Sequence, residues 1–188
     1  IQDFTTKTYT RVSDKAGLEA WVAQIYERGT VAIDTETTGL NDMRADLVGI
    51  SLCIEAGTAC YIPLTHKNAG SDDLFGSDSL AEGQLGLDNV LAVLKPLLED
   101  PAVLKIGQNM KYDAKILARY GVTIAPIEDT MLLSYALHAG LHGHGMDALS
   151  ERYLNHTLIP IKPILGSGKS AITFDRVPID DAVPYAAE

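Results

Sequence analysis

The sequence predicts an α/β fold built on one mixed β-sheet. Three observations point there. β-rich apolar runs come first as a meander and then alternate with segments of helical period. The chain has 188 residues, the length of one domain with one sizeable core. Apolar residues make up 46% and charged residues 21%, as in ordinary folded domains and unlike disordered chains.

The elements follow in order. Tyr9–Val12 reads as a short strand. Ser13 reads as the N-cap of a helix over Lys15–Glu27, whose Leu18, Trp21, Val22 and Ile25 recur at helical spacing. Thr30–Glu36 is a β-rich run that turns polar at its end. Leu47–Ile54 and Ala59–Ile62 read as antiparallel strands joined by a tight turn. Asn68–Gly86, rich in Gly, Ser and Asp, reads as a mobile loop. Leu87–Leu98 is helical, with Pro96 marking a kink or an early end. Val103–Gly107 is a strand, and Tyr112–Tyr120 is a helix stopped at Gly121. Asp129 reads as the N-cap of a helix over Thr130–Leu141. Met146–Leu154 is a further helix, Asn155–Ile172 a second loop, and Ile179–Glu188 begins a last helix. Sites in such sheets gather at the carboxyl ends of strands.

Fifteen basic residues against 25 acidic ones give a net charge of −10, which excludes a strongly basic, phosphate-coating protein. It leaves nucleic acid open, because carboxylates that hold cations present positive charge locally. No apolar run approaches the roughly 18–20 residues a membrane span requires, so no membrane partner is expected. The N-terminus, Ile1-Gln2-Asp3-Phe4, is neither a signal peptide nor a start, and the chain reads as a fragment of something longer. Cys53 and Cys60 flank the turn Glu55-Ala56-Gly57-Thr58. A two-residue turn at Ala56-Gly57 places them opposite each other, within bridging reach. The plainer reading is a pair of reduced, half-buried thiols in a cytosolic protein.

The chemistry concentrates in acids. Asp34 and Glu36 stand at i and i+2 on a strand that is apolar until it reaches them. Period-2 geometry puts both on one face, with Cα atoms about 6.5–7 Å apart. Such a pair can converge on one divalent cation or bridge two about 3.5–4 Å apart. Hard oxygen ligands select Mg²⁺ or Mn²⁺. Taken alone, the same pattern also suits a solvated strand end. A second string, Gly107-Gln108-Asn109-Met110-Lys111-Tyr112-Asp113, leaves a strand and enters a helix. Its Gln and Asn amides can bind sugars and phosphates, Tyr112 offers a stacking face, and Asp113 sits about one turn into the helix. Tyr185, in the closing Tyr185-Ala186-Ala187-Glu188, reads by itself as a core or rim aromatic.

Together, Asp34-Thr35-Glu36, the Gly107–Asp113 string, Asp129-Thr130-Met131-Leu132, Met146-Asp147-x-Leu149 and Tyr185-Ala186-Ala187-Glu188 resemble the proofreading 3′–5′ exonuclease domain of bacterial DNA polymerase I. That domain belongs to the tyrosine branch of the DEDD exonucleases and has a ribonuclease H-like fold, a mixed β-sheet flanked by helices. The resemblance spans residues 1–188 as a single domain. It implies that Asp34, Glu36 and Asp113 are three of four carboxylates holding two Mg²⁺ or Mn²⁺ ions. It implies that Tyr185 orients the attacking water, and its phenol pKa near 10 suits positioning better than taking a proton. Leu40, after Thr37-Thr38-Gly39, matches a leucine that wedges against the terminal bases. Thr37, Gln108, Asn109 and Tyr112 match positions along the single-strand path.

The implied substrate is the 3′ end of single-stranded DNA, the implied partner the polymerase domain of the same parent chain, and the implied setting the bacterial cytoplasm. The family's closing pattern is Tyr-x₃-Asp, which puts the fourth carboxylate at position 189, one past Glu188. A fragment boundary accounts for this; Glu188 or Asp181 is the substitute if the fourth ligand comes from within. Two other readings stand beside this one: an RNA-trimming exonuclease of the ribonuclease D type, and a non-catalytic domain that braces a polymerase. Two tempting motifs are set aside. Gly166-Ser167-Gly168-Lys169-Ser170 imitates the end of a P-loop, but Pro163 stands where a glycine is required. Lys169 in a mobile loop reaching phosphate is the better reading. His138, His142 and His144 lack a completing Cys or acid for zinc and read as structural.

Overall fold

The computed structural model describes residues 7–68 and 79–188. Its centre is one six-stranded sheet in the order β1-β4-β3-β2-β5-β6. The strands are β1 (Thr8–Arg11), β2 (Thr30–Thr37), β3 (Leu47–Glu55), β4 (Thr58–Pro63), β5 (Leu104–Gly107) and β6 (Ile127–Asp129). β2, β3 and β4 form the expected antiparallel meander. β1 lies parallel on β4, while β5 and β6 extend the other side in parallel, so the sheet is mixed. β6 escapes sequence analysis because three residues are too short for a period, and two of them are exposed.

Helices α1 (Lys15–Arg28), α2 (Leu87–Glu99) and α3 (Met110–Arg119) supply the larger core. The cap of α1 is Asp14 rather than Ser13: its carboxylate accepts the Gly17 N–H at 2.7 Å. Gly29 ends the helix at φ 69°, a left-handed conformation that favours glycine. Pro96 stays inside α2 without ending it. Helix α4 (Thr130–His138) stops before the expected Leu141, ahead of Gly140 at φ 77°. Helix α5 (Met146–Leu149) continues as a π-helix over Ser150–Leu154. The second predicted loop contains α6 (Ile161–Leu165) and a 3₁₀ turn at Gly168–Ser170. Helix α7 (Ile179–Ala186) covers a second, smaller core of Val48, Tyr61, Phe174, Val177 and Ala182. Residues 69–78 of the first predicted loop lie outside the described residues.

The two cysteines do not face each other. Register pairs Leu52 with Cys60 and Cys53 with Ala59, and a bulge follows between Cys53 and Glu55. The thiols are therefore one residue out of step, and strand alternation sends them to opposite faces. Both are free. Among the described residues no helix is long and apolar enough to cross a membrane.

Lys105, on central β5, is wholly buried. Its Nζ donates to the carbonyls of Val103 at 2.7 Å, Asp100 at 2.9 Å and Ala125 at 2.5 Å. One ammonium thus fastens the end of α2 to β5 and to the segment entering β6. Burial lowers its pKa, while the ring of carbonyl dipoles favours the charged form. Lys105→Met keeps the stem but strands these acceptors. We expect it to lower stability by about 2–3 kcal/mol, read as a lower urea midpoint at unchanged slope.

Candidate active site

Strand β2 alternates as its sequence dictates. Val31, Ile33 and Thr35 are buried, and Asp34 and Glu36 emerge together on the other face. Pairing with β5 covers only Thr30 to Ala32, because β5 ends at Gly107. The remaining edge of β2 is open at the level of the acids. Asp113, 2% exposed on α3, fills that edge. Its Oδ1 accepts the Thr35 N–H at 3.1 Å and the Thr35 hydroxyl at 2.5 Å. The third acid is thus tied to the residue between the first two. Thr35 is a site residue the sequence reading passed over: D-x-E leaves its middle residue unspecified, and only the fold shows what it meets.

The three acids press on one another. Asp34 is pushed up to about 7, first by burial and then by the charge of Asp113. Glu36 is pushed up to about 8 by burial, then by Asp34 and Asp113. Burial also raises Asp113, and its bonds to Thr35 partly oppose this. No basic side chain contributes to any of the three shifts. As they stand, no three His, Cys, Asp or Glu side chains among the described residues form a ready ion cage. One oxygen of Asp113 is committed to Thr35 instead.

Tyr185 comes to the same place from α7. Its ring rests against Phe174 at a centroid distance of 5.8 Å. Burial and the charges of Glu36 and Asp34 push its phenol up to about 12. At neutral pH it is a hydroxyl beside carboxylates, able to donate to or orient a water. Glu188 is engaged elsewhere. It takes Lys7 at 3.0 Å, His156 at 2.9 Å and the Ile159 N–H at 2.5 Å, which fastens the end of α7. Asp181 is exposed in the first turn of α7. Neither joins the acid cluster.

Behind Glu36 lies a buried polar pair. Gly49 faces Glu36 across the ladder, and a side chain there would overlap the Tyr61 hydroxyl. His66 Nδ1 sits 2.9 Å from the Val177 carbonyl, which only accepts, so Nδ1 carries the hydrogen. Nε2 then accepts from the Tyr61 hydroxyl at 2.8 Å. These residues were not legible in sequence, because a Gly, a Tyr and a His on β3, β4 and the segment after β4 share no spacing rule.

The remaining expected residues have mixed fates. Leu40 is 98% exposed at the tip of the segment after β2. Tyr112 turns its hydroxyl to Thr37 Oγ1 and to the Gly39 carbonyl, each at 2.5 Å. It braces the Leu40 segment, with its ring partly packed on the core rather than presented as a free stacking face. Gln108 is spent as a bridge: its Nε2 donates to His144 O at 2.7 Å and its Oε1 accepts from Thr130 at 2.6 Å. Asn109 is exposed at φ 59° and opens α3. Asp129 does more than cap α4. Its carboxylate takes Met131 and Leu132 N–H groups and also those of Asn109 and Met110 at 3.0 and 2.9 Å. One side chain thus caps two helices and fixes the turn that aims Asp113. The glycines at 166 and 168 follow α6 rather than a strand, as the rejection of a P-loop requires; Lys169's side chain lies outside the described residues. A cleft of about 1220 Å³ runs past Asp34, Glu36 and Tyr185, with Leu133, His138 and Tyr153 on its far wall.

Comparison with known proteins agrees with this arrangement. The family model described as 3′–5′ exonuclease matches residues 9–188. DNA polymerase I of Rhizobium leguminosarum is 48% identical over 194 residues, covering 98% of this chain and 19% of that protein. DNA polymerase I of Pseudomonas aeruginosa is 42% identical over 183 residues, covering 96% and 19%. The chain therefore spans about a fifth of the length of these relatives. Among solved structures, Brucella melitensis NrnC superposes with a TM-score of 0.63 at 23% identity, covering 97% of this chain and 74% of that one. Escherichia coli RNase D superposes at 0.64 and 19%, covering 96% and 40%. These likenesses carry the fold, which is ribonuclease H-like. The chain belongs to the 3′–5′ exonuclease family found in DNA polymerase I.

Proposed function

We propose that this domain hydrolyses the 3′-terminal phosphodiester of single-stranded DNA and proofreads for a polymerase on the same parent chain, in the bacterial cytoplasm. One observation carries the reading: Asp34, Glu36 and Asp113 gather at the open end of β2 with their repulsion unrelieved, and Tyr185 overhangs them. Acids raised by one another and by burial, with only oxygen donors, suit a hard divalent cation. Asp34, Glu36 and Asp113 would hold Mg²⁺ or Mn²⁺. Two such ions, when bound, supply charge that activates water and stabilises the leaving 3′ oxygen.

The chain's own residues do the rest. Thr35 fixes Asp113 through Oδ1 and leaves its other oxygen for the site. The neutral phenol of Tyr185 orients the water. Leu40 wedges against the terminal base, held in place through Thr37 and Tyr112. Exposed Asn109 meets the strand, and Gln108 acts by holding the turn to His144. Mismatched ends fray more readily, so a single-strand site favours them. The DNA reading is preferred to an RNA-trimming one because the polymerase relatives share 48% and 42% identity, while RNase D is 19% identical. Equal-length DNA and RNA oligonucleotides test it; faster release of ribonucleotides would reverse the assignment.

Three outcomes follow. Asp34→Asn should cut Mg²⁺-dependent release of nucleoside 5′-monophosphates by at least about a thousandfold, measured by single-turnover chromatography. Thr35→Val, which deletes the hydroxyl but keeps the shape, should lower kcat by about tenfold with KM little changed, whereas Thr35→Ser should restore it. The third outcome concerns pH. Asp34 and Glu36 have folded pKa values above their unfolded ones, so their favourable contribution holds at low pH and is lost as pH rises through about 7 and about 8. Without divalent cation, Tm should fall between about pH 5 and about pH 9, and Mn²⁺ should remove most of the fall. Asp34→Ala should flatten the profile, while Asp113→Ala should lower Tm throughout, because it strips buried Thr35 of its acceptor.

A further inference from the structure

Five rings meet between α4, the segment after it and the π-helix at Ser150–Leu154, outside both cores. Tyr135 and His144 have ring centroids 5.2 Å apart, His144 and His142 5.1 Å, His142 and His138 5.5 Å, and His138 and Tyr153 6.4 Å. Tyr135 and Tyr153 remain 59% and 55% exposed, so this chain of contacts does not serve burial. Three of the rings also have hydrogen-bond partners. His144 Nδ1 bonds Ser134 Oγ at 2.9 Å, His142 Nδ1 donates to Gly143 O at 2.8 Å, and the Tyr153 hydroxyl faces His142 Nε2 at 3.4 Å. The Arg152 guanidinium lies 5.9 Å over the Tyr153 ring. His138 and Tyr153 belong to the wall of the cleft that contains Asp34, Glu36 and Tyr185.

We propose that this ring array is a stacking platform for unpaired nucleobases of the strand whose 3′ end reaches the carboxylates; it rests on the exonuclease reading above. Aromatic and imidazole faces take any base, because every base has a π-face. Rings already fixed by hydrogen bonds lose little freedom on binding. Between positions 135 and 153 one basic residue, Arg152, stands beside two acids, Asp147 and Glu151, so what the array offers a strand is ring faces and not net positive charge. A strand lying here meets a row of ring faces and the Arg152 guanidinium over Tyr153. The platform and the acids share one cleft, so a strand stacked on the rings is directed toward the site.

The test uses the 188-residue protein. Binding of a fluorescein-labelled twelve-thymidine strand is followed by anisotropy in Ca²⁺, and hydrolysis of the 4-nitrophenyl ester of thymidine 5′-monophosphate is followed in Mn²⁺. The ester is too short to reach the platform. Tyr153→Leu and His138→Leu should each weaken strand binding by about tenfold, Tyr153→Trp should preserve it, and all three should hydrolyse the ester at the unaltered rate. Thermal melts confirm that each variant is folded. Unchanged strand binding in both leucine variants would overturn the platform, as would variants that alter only the oligomeric state, which would mark a protein interface. The exonuclease reading is tested with the chain carried through position 189, where the resemblance puts the fourth carboxylate: its failure to cleave the ester would count against that reading, and the anisotropy arm would still decide the platform.

Discussion

Burial of the carboxylates at the open end of β2, sharpened by their mutual repulsion, is the constraint on which the rest of this structure turns. Like charges in a half-buried cleft are unfavourable, and among the described residues no basic side chain contributes to the shifts of these three. The arrangement persists because the surrounding fold leaves the acids no route apart. β2 is held along its length by β3, which fixes the spacing of Asp34 and Glu36. β5 stops early enough to leave an edge for Asp113, and Thr35 receives it there with two hydrogen bonds. A domain that only braced a neighbour would have no need to keep such an unfavourable cluster.

The supporting interactions form two lines that end at this point. One runs through the parallel half of the sheet. Lys105 ties α2 to β5 and the approach to β6, and Asp129 at the end of β6 caps both α3 and α4. The turn that carries Gln108, Asn109 and Asp113 is therefore held by this carboxylate together with the Gln108 bridge to Thr130 and His144. The other line runs through the antiparallel half. Gly49 makes room for the Tyr61 hydroxyl, His66 holds that hydroxyl, and Val177 orients His66 beneath α7. α7 in turn brings Tyr185 over the acids and is fastened at its end by Glu188. Each line uses buried, satisfied polar contacts, which specify geometry more sharply than apolar packing does.

Electrostatics also sets how a protein of net charge −10 would meet the polyanionic strand proposed as its substrate. Long-range attraction is weak or opposed, so binding must come from short-range contacts and from cations held at the site. The exposed Leu40, the ring array on α4 and the following segment, and the oxygen cluster are all features of that kind.

What the sequence alone determined is whatever rests on period and local chemistry. Alternation placed Asp34 and Glu36 on one face, helical spacing located α1, α2 and α3 to within a few residues, and Gly121 and Asp129 marked helix ends through their local preferences. Asp113 at the mouth of α3 and the ordered motifs carried the family. Tertiary structure decided everything that depends on two distant segments meeting. The three-residue β6, the bulge that separates Cys53 from Cys60, and the second helix capped by Asp129 leave no periodic trace. Likewise Thr35 reads as the idle middle of a D-x-E until Asp113, 78 positions away in sequence, arrives at its hydroxyl. Gln108 and Tyr112 read as free binding groups until the fold supplies nearer partners for their amide and hydroxyl. A side chain's polar atoms bond to whatever packing brings within about 3 Å, and that is set by the chain's return, not by its neighbours in sequence.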